Sequence, residues 1–201
     1  MLIDLSVPIN SKTPVYPGDP NIEIQPTGQL KRDGFNDHRV SIGTHAGTHI
    51  DAPIHMIEGG KALSDYDIDK YVGDGILIDA RPGFNEQIKQ VEIAPGDIVL
   101  ILTGWSKRFD EPKYFKEFEP IPDDWSDLLI QKQVSMVGMD MGSPDKPPFK
   151  IHKKLLKNDI LIIENLSNLE ALVGKKFRVI ALPIKLEIDA APARVIAEIL
   201  P

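Results

Sequence analysis

Asp97–Thr103 reads Asp-Ile-Val-Leu-Ile-Leu-Thr, five consecutive apolar residues between polar ends. Side chains of a strand alternate between its two faces, so an unbroken apolar strand has to be covered on both. The fold must therefore stack material on each side of this segment. Shorter apolar runs at Gly75–Ala80, Met136–Met139, Ile160–Ile163 and Phe177–Leu182 predict further strands. Residues 38–44, with Val40 and Ile42 alternating with polar neighbours, predict another, leading into the segment that follows. Residues 192–199 fit a strand or a helix. Pro122–Gln133 has a helical start, with proline and then two aspartates in the first turn, and puts Trp125, Leu128 and Leu129 on one side. Lys150–Lys157 is a second predicted helix, with Ile151, Leu155 and Leu156 at helical spacing. Pro14, Pro17, Gly18 and Pro20 make a stiff, extended loop near the start. Strands alternating with short helices predict an α/β fold, a single mixed α/β domain over residues 1–201 with a more purely β early part.

Composition narrows the function. The chain is 42% hydrophobic and 26% charged, an ordinary globular balance. Its formal net charge is -7 and it has no long Lys/Arg tract, which argues against nucleic acid or an anionic membrane as partner. Lys153, Lys154 and Lys157 read as a solvated helix face. Cysteine is absent, so any metal must be held by nitrogen and oxygen. Met1–Ser6 lacks the pattern of a signal peptide, and no apolar run approaches the ~20 residues of a membrane span. A cytoplasmic protein is expected.

The chain has five histidines, and three of them fall between His45 and His55, in the run His-Ala-Gly-Thr-His-Ile-Asp-Ala-Pro-Ile-His. Histidine and aspartate together suit a divalent ion such as zinc or manganese. A helix would put His45 and His49 on one face, but the glycines and threonines disfavour it and Pro53 would break it. As extended chain, His45, Gly47, His49, Asp51, Pro53 and His55 share one face, because all are odd-numbered. A straight strand of that length would span roughly 33 Å, too far for its ends to meet at one ion. The segment must curve, with Gly47 and Pro53 as the bends. His45, His49 and Asp51 are the expected ligands. Three ligands leave an open position, as in catalytic rather than structural sites, and a water there would have its pKa lowered toward ~7. His55 is placed to move the proton.

Other motifs are weaker. Asp65, Asp67 and Asp69 begin like a calcium loop, but Lys70 and Ile76 stand where such a loop needs Gly and Glu. Neither a serine-hydrolase elbow nor a phosphate-binding loop occurs. His38 could reach a pocket beside the run, though a lone histidine there is more often structural. Asp140 fits either of two roles, orienting a metal-bound histidine or serving as a plain turn carboxylate.

The His45–His55 run resembles the His-x-Gly-Thr-His-x-Asp-x-Pro-x-His signature of the cyclase-like metal-dependent hydrolases, the family of bacterial kynurenine formamidase and isatin hydrolase. The resemblance extends over nearly the whole chain. It includes Asp4-Leu5-Ser6, Pro14–Asp19, Thr103-Gly104-Trp105, Val137–Asp140 with Ser143 and Asp145, and finally His152 and Glu164. It implies the swivelling β/β/α fold, one or two Zn2+ or Mn2+ ions, and a homodimer or homotetramer. His45, His49 and Asp51 would hold the first ion. Asp51, His152 and Glu164 would hold the second, with Glu164 able to touch both, and His55 would be the general acid/base. Kynurenine formamidases usually carry Trp before Pro-Gly-Asp, lining the substrate pocket; this chain has Tyr16, which keeps an aromatic face and adds a hydroxyl. The implied activity is hydrolysis of a small-molecule amide, N-formyl-L-kynurenine in the nearest case. Alternatives are opening of a cyclic amide, a polyketide-type cyclase, and a metal- or ligand-binding module without turnover.

Overall fold

The structure is a computed structural model that describes residues 1–84 and 86–201. In chain order the strands are β1 (Leu2–Asp4), β2 (Glu23–Gly28), β3 (Asp37–Ser41), β4 (His49–Asp51), β5 (Val72–Asp79), β6 (Ile98–Leu102), β7 (Met136–Met139), β8 (Leu161–Glu164), β9 (Phe177–Pro183) and β10 (Ala190–Ile199). The helices are α1 (Leu30–Asp33), α2 (Asp123–Gln131) and α3 (Lys150–Lys157). Strands β5 to β8 are parallel neighbours. β4 is antiparallel to β8, β10 to β4, and β9 to both β10 and β5. The sheet thus returns to its own start and closes as a barrel, and β1 pairs with β10.

All five residues of β6 are buried, as the unbroken apolar run requires. Ile98, Leu100 and Leu102 point into the barrel with Leu161, Ile163, Val179 and Val195. Val99 and Ile101 point out, against Trp125 and Leu129 of α2 and Leu155 and Leu156 of α3. Each such fully buried side chain contributes about 1.5–3 kcal/mol. One face of β6 therefore builds the barrel interior and the other seats the helices.

Residues 192–199 lie within strand β10. A helix there would have left β4 and β9 without the partner that closes the barrel. The strand expected over 38–44 differs too. It ends at Ser41 and pairs with β2 in a separate two-stranded hairpin, every residue of β3 being exposed. A turn closed by Ala46 N–H donating to Gly43 O (3.3 Å) then parts it from β4. His38, on this hairpin, is not among the residues that line the site cavity.

Candidate metal centre

Local geometry bends the histidine run at the two expected places. Gly47 has φ +62, a left-handed conformation that suits glycine. The Asn165 Nδ2 amide donates to Gly47 O (2.8 Å) and Thr48 Oγ1 donates to Asn165 O (2.7 Å), locking that bend to the end of β8. Pro53 opens a 3-10 turn, Pro53–His55, that swings His55 back. His45 and His55, which a straight strand would hold roughly 33 Å apart, have ring centroids 4.3 Å apart.

Strand register assembles the rest. Ile50 faces Ile163 across β4 and β8, and both point into the barrel. Their neighbours His49 and Glu164, also paired, must point outward together. On α3, His152 shares the buried face with Leu156, four residues on, and so reaches the same spot. His49 Nε2 lies 3.4 Å from both Asp51 Oδ1 and Glu164 Oε2. His152 Nε2 lies 3.1 Å from Glu164 Oε1 and 3.8 Å from Asp51 Oδ2. His45 Nδ1 lies 2.9 Å from Asp51 Oδ1.

The opposite nitrogen of each imidazole has an outer partner. His49 Nδ1 is 2.9 Å from Gly47 O, His152 Nδ1 is 2.6 Å from Asp145 Oδ1, and His45 Nε2 is 3.1 Å from Asp189 Oδ2. Outer acceptors of this kind fix the ring and aim the inner lone pair. Asp145 also accepts from Ile151 N–H and so ties the first turn of α3 to the site. Asp51 Oδ1 and Oδ2 and His49 Nε2 are buried without an aligned hydrogen bond. Unpaired buried donors and acceptors are costly, and a cation among them would satisfy all three.

Electrostatics agree. Burial pushes His49 down, but Asp51 and then Glu164 override it and bring it up to about 10. His45 and His152 are raised in the same way, by Asp51 and by Asp145 with Asp51 respectively. Burial raises Asp51, but the charges of His49 and His45 hold it well below the usual carboxylate range. Glu164 is lowered against burial by His152 and His49. The carboxylates thus favour positive charge at this place, which a divalent ion would also supply. His55 is the exception: burial, then the charges of His45 and His152, outweigh Asp51 and Glu164 and lower it.

The donors fall into two overlapping sets, His49-Asp51-Glu164 and His45-Asp51-His55, sharing Asp51. All-nitrogen-and-oxygen sets of this kind fit one or two divalent ions. The implied ligand sets put His55 outside; in space it stands beside His45 and Asp51. A cavity of about 200 Å³ opens above the donors, walled by Tyr16, Met56, Phe115 and Phe149. Tyr16 meets Phe115 edge-on at 5.7 Å. Of the two readings of Asp140, the structure shows the turn carboxylate. Its carboxylate accepts from Thr103 N–H (2.7 Å), Thr103 Oγ1 (2.6 Å) and Gly104 N–H (2.8 Å), closing the turn after β6. Asp145 stood in the sequence only as part of a resembling stretch, and Asp189 carried no signal at all.

The chain matches the Cyclase family over residues 3–146. It is 38% identical to an uncharacterized protein of Methanocaldococcus jannaschii, covering 90% of this chain and 91% of that protein. It is 30% identical to a kynurenine formamidase of Erythrobacter litoralis, covering 98% and 94%. Its fold superposes on an isatin hydrolase bound to a product analogue with a TM-score of 0.87, at 24% identity, over 100% of this chain and 92% of that one. The chain belongs to the cyclase-like metal-dependent hydrolase family.

Proposed function

We propose that this chain is a metal-dependent amide hydrolase of the arylformamidase kind, cleaving N-formyl-L-kynurenine or a near relative to an aryl amine and formate. The observation that carries this reading is the set of buried donor atoms on His49 and Asp51 that lack an aligned hydrogen bond, beside a cavity with aromatic walls. Kynurenine formamidases at about 30% identity over nearly the full chain support it. His49, Asp51, Glu164 and His152 would hold Zn2+ or Mn2+, with His45 completing a second position. A bound ion supplies Lewis acidity, polarising a carbonyl and acidifying a water.

The residues do the rest. Tyr16 and Phe115 offer ring faces and edges against which an aryl group stacks. The lowered pKa of His55 leaves it neutral near pH 7 and able to accept the proton of the attacking water. Water oxygen bonds to the carbonyl carbon, the carbon–nitrogen bond breaks, and His55 returns the proton to the leaving nitrogen. A histidine outside the His49-Asp51-Glu164 set and able to carry a proton also favours turnover over a binding module.

The test is a hydrolysis screen over N-formylkynurenine, isatin and simple aryl formamides, with metal analysis of the same sample. Turnover should require about one to two ions per chain. His55→Ala should lower it ~10²–10⁴-fold while metal at His49, Asp51 and Glu164 is retained. Full activity in metal-free protein would sink the proposal; preference for isatin would move the substrate to a cyclic amide.

A further inference from the structure

The loop between β9 and β10 ends at Asp189, 144 residues after His45. Its Oδ2 lies 3.1 Å from His45 Nε2 and 3.5 Å from His55 Nδ1. Among the described residues, these are the polar contacts of its side chain. Structural bonds of the loop are made by its backbone instead: Ala52 N–H donates to Asp189 O (2.8 Å) and Leu63 N–H to Ile188 O (3.2 Å). Ala190 pairs with Asp51 in the sheet. The carboxylate is therefore set by the same strand that carries Asp51, and by the residue that leads into the turn of His55.

We infer that Asp189 is a positioning residue of this site, hydrogen-bonded to the ring of His45 and facing that of His55 through the same oxygen. A histidine can offer a lone pair from one nitrogen only if the proton stays on the other. Asp189 accepts the Nε2 proton of His45 and leaves Nδ1 facing Asp51. Facing Nδ1 of His55, it leaves Nε2 on the far edge of that ring. Asp145 stands to His152 in the same relation. What sets Asp189 apart is that the oxygen bonded to His45 also faces His55, which links the placement of an expected ligand to that of the expected proton carrier.

The inference rests on the metal-site reading, and its test separates the two. In the full chain, Asp189→Ala and Asp189→Asn are compared with wild type for Zn2+ affinity by chelator competition, for kcat and KM, and for thermal midpoint without metal. Asp189→Ala should weaken Zn2+ binding and lower kcat, each by ~10–100-fold, with KM little changed. Asp189→Asn, whose amide oxygen still accepts, should recover part of both. Metal-free thermal midpoints should stay close to wild type, since the loop is tied by backbone. Wild-type Zn2+ affinity and kcat in Asp189→Ala would overturn the inference. So would equal losses in both variants that follow a fall in thermal midpoint. Unchanged Zn2+ affinity in His49→Ala would instead overturn the metal-site reading itself.

Discussion

His49 and Glu164 stand directly opposite one another on β4 and β8, with Nε2 of the first 3.4 Å from Oε2 of the second. The pairing is a consequence of core packing. The register that sets Ile50 against Ile163 inside the barrel sets this imidazole and this carboxylate together outside it.

Removing either partner should weaken metal binding. A full zinc site is worth ~10–16 kcal/mol, so one of about four ligands contributes roughly 3 kcal/mol, or ~100-fold in affinity. His49→Ala and Glu164→Gln should each weaken Zn2+ by about that factor in chelator competition. Retained affinity in Glu164→Gln would remove Glu164 from the ligand set.

Acid and base should both destabilise the metal-free protein, in a window set by this cluster. His49 is raised from 6.5 to about 10, so its contribution is complete below pH 6.5 and lost as pH rises through 10. Asp51 and Glu164 are lowered from 3.8 and 4.5, so theirs is present above those values and lost as pH falls below them. Thermal midpoints of chelated protein should peak between pH 4.5 and 6.5. Added Zn2+ should move the optimum upward, because the ion needs deprotonated imidazoles. A midpoint of the chelated protein that climbs between pH 6.5 and 10 would contradict the charge assignment.

Asp145 should act on both metal and fold. It accepts from His152 Nδ1 and from Ile151 N–H, and it is buried. Asp145→Ala should weaken Zn2+ by ~10–100-fold through the ring of His152. Loss of the charged bond to α3 should cost about 1.5–3 kcal/mol, measured by urea unfolding without metal. Stability equal to wild type would show that α3 is seated by Leu155 and Leu156 alone.

Gly60 sits against the turn that carries His55. A Cβ there would meet Pro53 C at 2.6 Å and Ile54 N at 2.7 Å, and backbone gives way poorly. Gly60→Ala should cost roughly 1–3 kcal/mol. It should also lower kcat by displacing His55, with Zn2+ affinity at the His49 side retained. A variant with wild-type kcat would show that the turn absorbs the strain without moving the imidazole.

Residues whose role is written in local pattern were legible in the sequence. The apolar run of β6 requires cover on two faces, and it has the barrel core on one and α2 and α3 on the other. The odd-numbered register of His45 to His55, set against the length of a straight strand, demands a curve, and Gly47 and Pro53 supply it. Residues 192–199 stayed open between strand and helix because short apolar stretches satisfy both periods. The exposed hairpin of β2 and β3 escaped because alternation in 38–44 does not say whether anything covers the apolar face.

What the sequence determined by itself is the choice of donors on offer: nitrogen and oxygen without thiol, in a segment that has to bend. His152 and Glu164 could be joined to that segment by resemblance but not by spacing. Tertiary structure joins them, through the register of β4 on β8 and the buried face of α3. It alone decides the outer partners. Asp145 reaches His152 only because α3 docks as it does, and Asp189 reaches His45 only because the barrel closes β10 onto β4. Periodicity reports which face a residue shares with near neighbours. Contacts across 144 residues depend on which strands pair and in what register, and that is settled by burying the whole core at once.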